Sequence, residues 1–190
     1  MGLTFKVGAA TDVFFGEFAV QVEQELARQL RYSVPASPSV STFYSEDVDW
    51  FGWAQFQQMA TMALGQASAP NILAVEAWRS VYLPIHLDPT TIEIEEEVLL
   101  QCASLPGLVV ELEQLAASQS MATDPVELRA LWAKYYEDDE STEIQTFIQL
   151  LLAAQVASER GMPTSSSSAS TRVNSRVRRS SSPWPPSPWT

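Results

Sequence analysis

Five segments of this 190-residue chain carry apolar side chains at the three- to four-residue spacing of an amphipathic helix. The spacing predicts helices over about residues 13–31, 50–64 and 105–118, another that begins at residue 125 and ends before the break at 137–141, and a last one over about residues 142–159. Each such helix has an apolar stripe that must be buried against another element. The last segment is apolar over more than one stripe, so we expect it to pack on more than one side.

Two of these helices also carry clear start signals. Asp49 precedes the second helix as an N-cap, and Gly65 stands where that helix is expected to stop. Asp124 is followed by Pro125 at the first helical position and by Glu127 three residues after the cap. The boundaries near residues 50, 64 and 125 are therefore the best defined in the chain.

Residues 71–87 show a different pattern, because apolar and polar positions alternate there as in a strand. We predict a β-hairpin with a three-residue turn at 79–81, since this register sorts the side chains best between two faces. Pro84 cannot donate a ladder hydrogen bond, which favours an edge or bulged position for the second strand. The predicted core face is Leu73, Val75, Ala77, Leu83, Ile85 and Leu87, and the other face includes Glu76, Trp78, Tyr82 and His86.

Residues 88–104 fit two structures. The run TIEIE at 91–95 alternates like a strand, yet Asp88 before Pro89 is a good helix start and Thr90 with Glu93 fits a capping box. We favour a third strand at 91–96 followed by a helix. The predicted fold is therefore α+β, with about five helices packed with a small antiparallel sheet made of the hairpin 71–87 and the strand 91–96.

The charge of the chain is divided between two regions. All 23 acidic residues and seven of the 11 basic residues lie within residues 1–160, which gives that region a net charge of −16. Residues 161–190 are rich in Ser, Pro and Arg and carry four arginines and no acid, a composition that cannot bury enough apolar surface to fold alone. We predict one acidic globular domain over 1–160 and a disordered tail over 161–190.

This acidity limits the classes of partner. A body of charge −16 repels nucleic-acid phosphates and anionic membranes, so we expect neither as a direct partner of the body. A partner protein with a basic surface suits it better. Cys102 is the only cysteine, the first ten residues do not resemble a signal peptide, and the apolar run at 147–157 is too short to span a bilayer. Together these features predict a cytoplasmic protein.

The only histidine, His86, is the main catalytic candidate. In the predicted hairpin Glu76 lies diagonal to His86, so that Glu76 or Tyr82 would assist it as an acid or base. Cys102 with His86 is a second candidate pair, for nucleophilic catalysis. The sequence shows a partner for His86 but no cleft, and the apolar context of Cys102 is typical of a buried thiol. We therefore favour a noncatalytic His86 on a mixed hairpin face.

Neither a metal nor a cofactor is predicted. The acidic runs at 93–97 and 135–140 lack the spaced oxygen ligands and the glycine turn of a calcium loop. One histidine and one cysteine cannot make an ordinary zinc site within one chain. With seven glycines in all, the chain has no phosphate-cradling motif.

The run WFGWAQF at 50–56 contains the remaining candidate. Trp53 and Phe56 belong to the apolar stripe of the second helix, while Trp50 and Phe51 lie off it, either under the preceding loop or in an exposed recognition patch. Of these two positions we favour the buried one. We hypothesise a noncatalytic protein-binding or inhibitor-like module with an acidic surface, and as the alternative a small enzyme that uses His86 with Glu76 or Tyr82. The candidate binding residues are Trp50, Phe51, Trp78, Tyr82 and His86.

Overall fold

The computed structural model describes six stretches of the chain, residues 2–14, 16–35, 41–76, 80–95, 98–136 and 141–168. Its helices are α1 (Ala10–Val13), α2 (Gly16–Leu30), α3 (Trp50–Leu64), α4 (Pro70–Leu73), α5 (Leu105–Gln119), α6 (Pro125–Tyr135) and α7 (Thr142–Arg160). Its strands are β1 (Gly2–Val7), β2 (Phe43–Tyr44), β3 (Val48–Asp49), β4 (Ser80–Leu83), β5 (Thr90–Glu95), β6 (Val98–Ser104) and β7 (Thr164–Ser168). The α+β class predicted from the sequence is confirmed.

Two of the long helices, α3 and α6, begin where the sequence places their caps. Asp49 accepts a hydrogen bond from the backbone of Phe51 at 2.7 Å at the start of α3, and Asp124 accepts one from Val126 at 2.8 Å at the start of α6. Each bond satisfies one of the backbone donors that a helix leaves unpaired at its first turn. Gly161 ends α7 with a left-handed backbone conformation, which glycine adopts at little cost.

The sheet is larger than predicted and is mixed. Among the described residues it has seven strands in the order β2–β1–β7–β4–β6–β5, and β3 also pairs with β1. The pair β4 and β6 is parallel, while the other pairs are antiparallel. The prediction of a small antiparallel sheet is therefore wrong, because strands from both ends of the chain join those from its middle in one sheet.

The predicted hairpin over 71–87 is also wrong. Asn71 and Ile72 lie in the short helix α4, and Ser80, placed in the turn, is the first residue of β4. β4 pairs with β6 and β7, and not with the described residues 71–76 that precede it. The apolar alternation across this stretch is thus the product of two different elements, each buried by its own neighbours.

The segment 88–104 contains two strands. β5 lies where a strand was favoured at 91–96, but the residues that follow it form β6 and not a helix, and α5 begins at Leu105. β5 is an edge strand whose Ile92 and Ile94 point inward. The side chain of Gln29 donates to the backbone oxygen of Glu93 at 2.9 Å, which covers part of this edge.

The strand β7 lies inside the segment predicted to be a disordered tail. Thr164–Ser168 pairs with β1 on one side and with β4 on the other, so a serine-rich run fills the middle of the sheet. The hydroxyls of Ser80 and Ser166 are 2.6 Å apart, and Thr164 donates to the backbone oxygen of Lys6 at 2.9 Å. A domain boundary at residue 160 would remove this strand, so these five residues belong to the folded body. Residues 169–190, the rest of the predicted tail, lie outside the described residues.

Helices cover both faces of the sheet. Leu3, Phe5 and Tyr82 face the main core, which they share with apolar residues of α3, α5, α6 and α7. Val81, Leu83 and Cys102 point to the opposite face, where Val22 and Leu26 of α2 cover them. The alternation of side chains along each strand produces this division.

Candidate functional site

The three residues of the catalytic hypothesis occupy different environments. Tyr82 points into the main core and is 1% exposed, whereas His86 is exposed in the loop after β4. Glu76 is exposed, and its backbone N–H donates to the side chain of Gln101 at 2.5 Å. Among the described residues no hydrogen bond joins any two of these three. The diagonal Glu76–His86 pair required the hairpin, and it has no structural basis without it.

Cys102 is also unsuited to nucleophilic catalysis. It lies on β6 beneath α2, where burial raises the pKa of its thiol to about 12. Since the thiolate is the nucleophile, a thiol with this pKa is almost entirely unreactive at neutral pH. Cys102 therefore acts as a small core residue. Trp78, the remaining candidate of the predicted hairpin face, lies outside the described residues.

A buried polar cluster that was not predicted lies under α5. Glu111 accepts hydrogen bonds from the backbone of Asn71 at 3.0 Å, from its Nδ2 at 2.6 Å and from the backbone of Ile72 at 2.8 Å. Asn71 in turn accepts from the backbone N–H of Ser104 at 3.0 Å. One carboxylate and one amide thus join α4, the end of β6 and α5.

The sequence contains a signal for this cluster. Leu108, Leu112 and Leu115 define the apolar stripe of α5, and Glu111 stands on the same stripe, one position before Leu112. A carboxylate at a core position must be hydrogen-bonded, because leaving its charge unpaired in the interior is very costly. The partner, Asn71, is 40 residues away in the chain, and no local pattern points to it.

The cluster is an internal anchor and not a reactive site. Burial is the main cause that raises the pKa of Glu111, and its three hydrogen bonds from Asn71 and Ile72 oppose that rise. The hydroxyl of Tyr82 is buried and has no hydrogen-bond partner among the described residues, and burial and the Glu111 charge raise its pKa. Gly107 packs so closely on Asn71 that an added Cβ would lie 2.4 Å from Nδ2. The donors and acceptors at Glu111 and Asn71 are used by the protein itself.

The strongest candidate for recognition is an exposed surface at the edge of the sheet. β2 and β3 both pair with β1, and Val48 is buried, so the residues on either side of it point outward. Asp49 then caps α3, which fixes the first turn of that helix at the same edge. We call the exposed residues of this region the acidic aromatic surface: Tyr44, Asp47, Asp49, Trp50 and Phe51.

The two aromatic residues at the start of α3 remain open to solvent. Phe51 is 62% exposed and Trp50 is 38% exposed, whereas Trp53 and Phe56 of the same helix lie in the core. The structure therefore places Trp50 and Phe51 at the surface, so the burial favoured by the sequence is wrong for these two residues. Large aromatic side chains are the residues that most often dominate binding energy at protein interfaces.

Three carboxylates, Glu46, Asp47 and Asp49, closely precede these rings in the chain. Asp47 accepts a hydrogen bond from Thr4 at 2.5 Å, and half-buried Glu46 lies beside it. Burial, and then the charge of Asp47, raise the pKa of Glu46, as expected for carboxylates that repel one another. Lys6, opposite Tyr44, is the nearest cation on the paired strand. The surface thus presents carboxylates beside exposed rings.

Comparisons with known proteins add no relative. No family model matches the chain, and no curated protein or solved structure shows a significant similarity to it. Within the part of the chain that the structure describes, no helix is long and apolar enough to cross a membrane. In the same residues, no three His, Cys, Asp or Glu side chains come together as metal ligands would. The function must therefore be inferred from the surface itself.

Proposed function

We propose that this protein is a noncatalytic binding module that recognises a basic segment of a partner protein through the acidic aromatic surface. The observation that carries this proposal is the exposure of Phe51 and Trp50 within four residues of the exposed carboxylates Asp47 and Asp49, the second of which caps the helix that starts with the rings. An arginine or lysine side chain is complementary to this arrangement. Its charged group pairs with a carboxylate, and its methylene groups or guanidinium plane lie over a ring.

The charge of the whole body supports the same class of partner. With a net charge of −16 over residues 1–160, the body attracts a basic protein at long range and accelerates its association. It repels nucleic acids, so we propose no direct binding of the body to DNA or RNA. The single cysteine suits a reducing compartment such as the cytoplasm, where we propose that the module acts.

The catalytic alternative receives no support from a specific contact. Its base, His86, is exposed, and its proposed assistant Tyr82 is enclosed in the core. A general base must reach its partner and its substrate through hydrogen bonds.

The first test measures the role of the carboxylates. A fluorescein-labelled peptide of alternating arginine and serine is titrated into the full chain and followed by fluorescence anisotropy. The double variant Asp47→Asn and Asp49→Ser removes two charges but keeps an acceptor for Thr4 and an N-cap for α3. Its control, Asp88→Asn with Glu113→Gln, removes two charges from exposed positions elsewhere. We expect the first variant to weaken binding and the control to change it little.

The second test measures the role of the rings. Phe51→Ala should weaken the same peptide about fivefold or more, because it removes an aromatic side chain from the centre of the surface. Met62→Ala, on the same helix and 80% exposed, is the control and should bind as the unaltered chain does. Equal binding by all variants, or binding that high salt leaves unchanged, would overturn the proposal.

A further inference from the structure

The described residues end beside the acidic aromatic surface. Ser168 is paired with Leu3, and Leu3 is paired on its other side with Val48. Since neighbouring strands are about 4.8 Å apart, Ser168 and Val48 are separated by about 10 Å. β7 runs antiparallel to β1, so the chain leaves the sheet at the Gly2 end, where Gly2 is paired with Asp49.

The residues that follow Ser168 have the opposite charge to this surface. Residues 169–190 contain four arginines, Arg172, Arg176, Arg178 and Arg179, and no acidic residue. An extended chain spans at most about 3.5 Å per residue, so Arg172 reaches about 14 Å from Ser168 and Arg179 about 38 Å. Both lengths exceed the roughly 10 Å between Ser168 and Val48, the residue directly before Asp49. Reach therefore allows all four arginines to contact the surface.

We infer that the arginine segment 172–179 binds the acidic aromatic surface of its own chain and competes there with the basic partner. This inference rests on the proposed function and adds its regulation. Individual exposed ion pairs are weak. A segment tethered about 10 Å from its site, however, acts at an effective concentration in the millimolar range. A free partner must therefore have a higher ratio of concentration to Kd than the tethered segment has. The segment is thus an autoinhibitory competitor that a partner of higher affinity displaces.

Zero-length cross-linking tests the contact directly. In the full chain the four arginines are replaced by lysine, which keeps the charge and supplies amines, and a carbodiimide joins each amine to any carboxylate in contact with it. The monomer is digested and its cross-links are identified by mass spectrometry. We expect links to Asp47 or Asp49 that are lost at high salt. Asp47→Asn with Asp49→Ser should remove them, and Asp88→Asn with Glu113→Gln should not.

The pattern of cross-links decides the outcome. Links concentrated at Asp47 and Asp49 support the inference. Links spread evenly over the acidic residues of the body, or no links to this surface, would overturn it, because they show that the arginines have no preferred site.

Competition tests the regulatory effect. A labelled peptide with the sequence of residues 170–182 is titrated into the unaltered full chain and into a full chain in which the four arginines are replaced by glutamine. We expect the glutamine variant to bind the peptide about fivefold or more tightly, since its own segment no longer competes. Equal affinities in the two chains would refute autoinhibition and leave the binding module intact. If neither chain binds the peptide and the alternating arginine–serine peptide also fails, the proposed function itself is refuted.

Discussion

Asn71 and Glu111 are joined by two hydrogen bonds, one from the backbone N–H of Asn71 at 3.0 Å and one from its Nδ2 at 2.6 Å. The same asparagine accepts a hydrogen bond from the backbone N–H of Ser104, so its Oδ1 bonds a donor while its Nδ2 bonds an acceptor. Both Asn71 and Glu111 are at least nine-tenths buried. This arrangement holds the short helix α4 against α5 and the end of β6, and it makes the amide of Asn71 hard to replace.

We expect the isosteric change Asn71→Asp to destabilise the protein by about 3 kcal/mol at neutral pH. The new carboxylate still accepts from Ser104, but its second oxygen replaces a donor 2.6 Å from Glu111. Like charges at this distance raise the pKa of the pair, so stability falls as the pH rises and part of it returns in acid. Urea unfolding at several pH values measures this. Gln58→Glu, exposed on α3, is the control and should stay within about 0.5 kcal/mol.

Glu46 should make the protein less stable as the pH rises. Burial and Asp47 raise its pKa above the ordinary 4.5, so the folded state keeps this proton when the unfolded state has lost it. The contribution of Glu46 to stability is fully present below its ordinary pKa. It declines as the pH rises, until the pH passes the raised pKa of the folded state. We expect Glu46→Gln to raise the melting temperature near pH 7 more than near pH 4. Glu113→Gln, an exposed control, should show no such difference. An equal effect of Glu46→Gln at both pH values would contradict the prediction.

Gly52 should not tolerate a methyl group, although alanine is the better helix former. An added Cβ would lie 2.7 Å from the backbone oxygen of Thr142 and 2.8 Å from the hydroxyl of Thr146. Helix propensity alone predicts a gain of about 1 kcal/mol for Gly52→Ala. The crossing of α3 and α7 should reverse the sign and give a net loss of about 1–3 kcal/mol. Thermal unfolding decides between the two, with Gln58→Ala on the same helix as the exposed control.

Ser80 and Ser166 should be energetically coupled across β4 and β7. Their hydroxyls are 2.6 Å apart and both residues are buried, so each single change to alanine leaves the other hydroxyl without its partner. We expect each single variant to lose about 1 kcal/mol or more, and the double variant to lose less than the sum by about 0.5–1 kcal/mol. A double-mutant cycle by urea unfolding measures the coupling. Strictly additive losses would show that the pair contributes nothing specific to the central strands.

Much of the helical part of this fold was predictable from the sequence. The predicted helix 50–64 matches α3, and the helix predicted to begin at residue 125 and to end before 137 corresponds to α6. Such helices are specified by contacts within one or two turns, including the caps Asp49 and Asp124. The same periodicity placed Trp50 and Phe51 off the apolar stripe, which is why they were candidates for an exposed surface. In the structure both are exposed.

The sheet and the buried polar cluster were not predictable in this way. Strand pairing joins residues far apart, as in Val7 with Thr164, and the serine-rich β7 has few of the β-branched or aromatic residues that mark a strand. Its place between β1 and β4 depends on ladder hydrogen bonds that only the assembled sheet supplies. Tyr82 was predicted to share an outer face with His86. In the structure β6 and β7 flank its strand, and the side chain of Tyr82 points into the main core.

The sequence by itself thus determined the main helices, the caps of α3 and α6, and the separation of charge between the acidic body and the arginines of 172–179, because these depend on neighbouring residues or on composition alone. Only the tertiary structure decided which strands meet, which polar groups are buried, and that the described chain ends at Ser168, two strands away from Val48 and close to Asp49. The physical reason is that strand pairing and polar burial depend on partners distant in the chain, whose positions are fixed when the whole core packs.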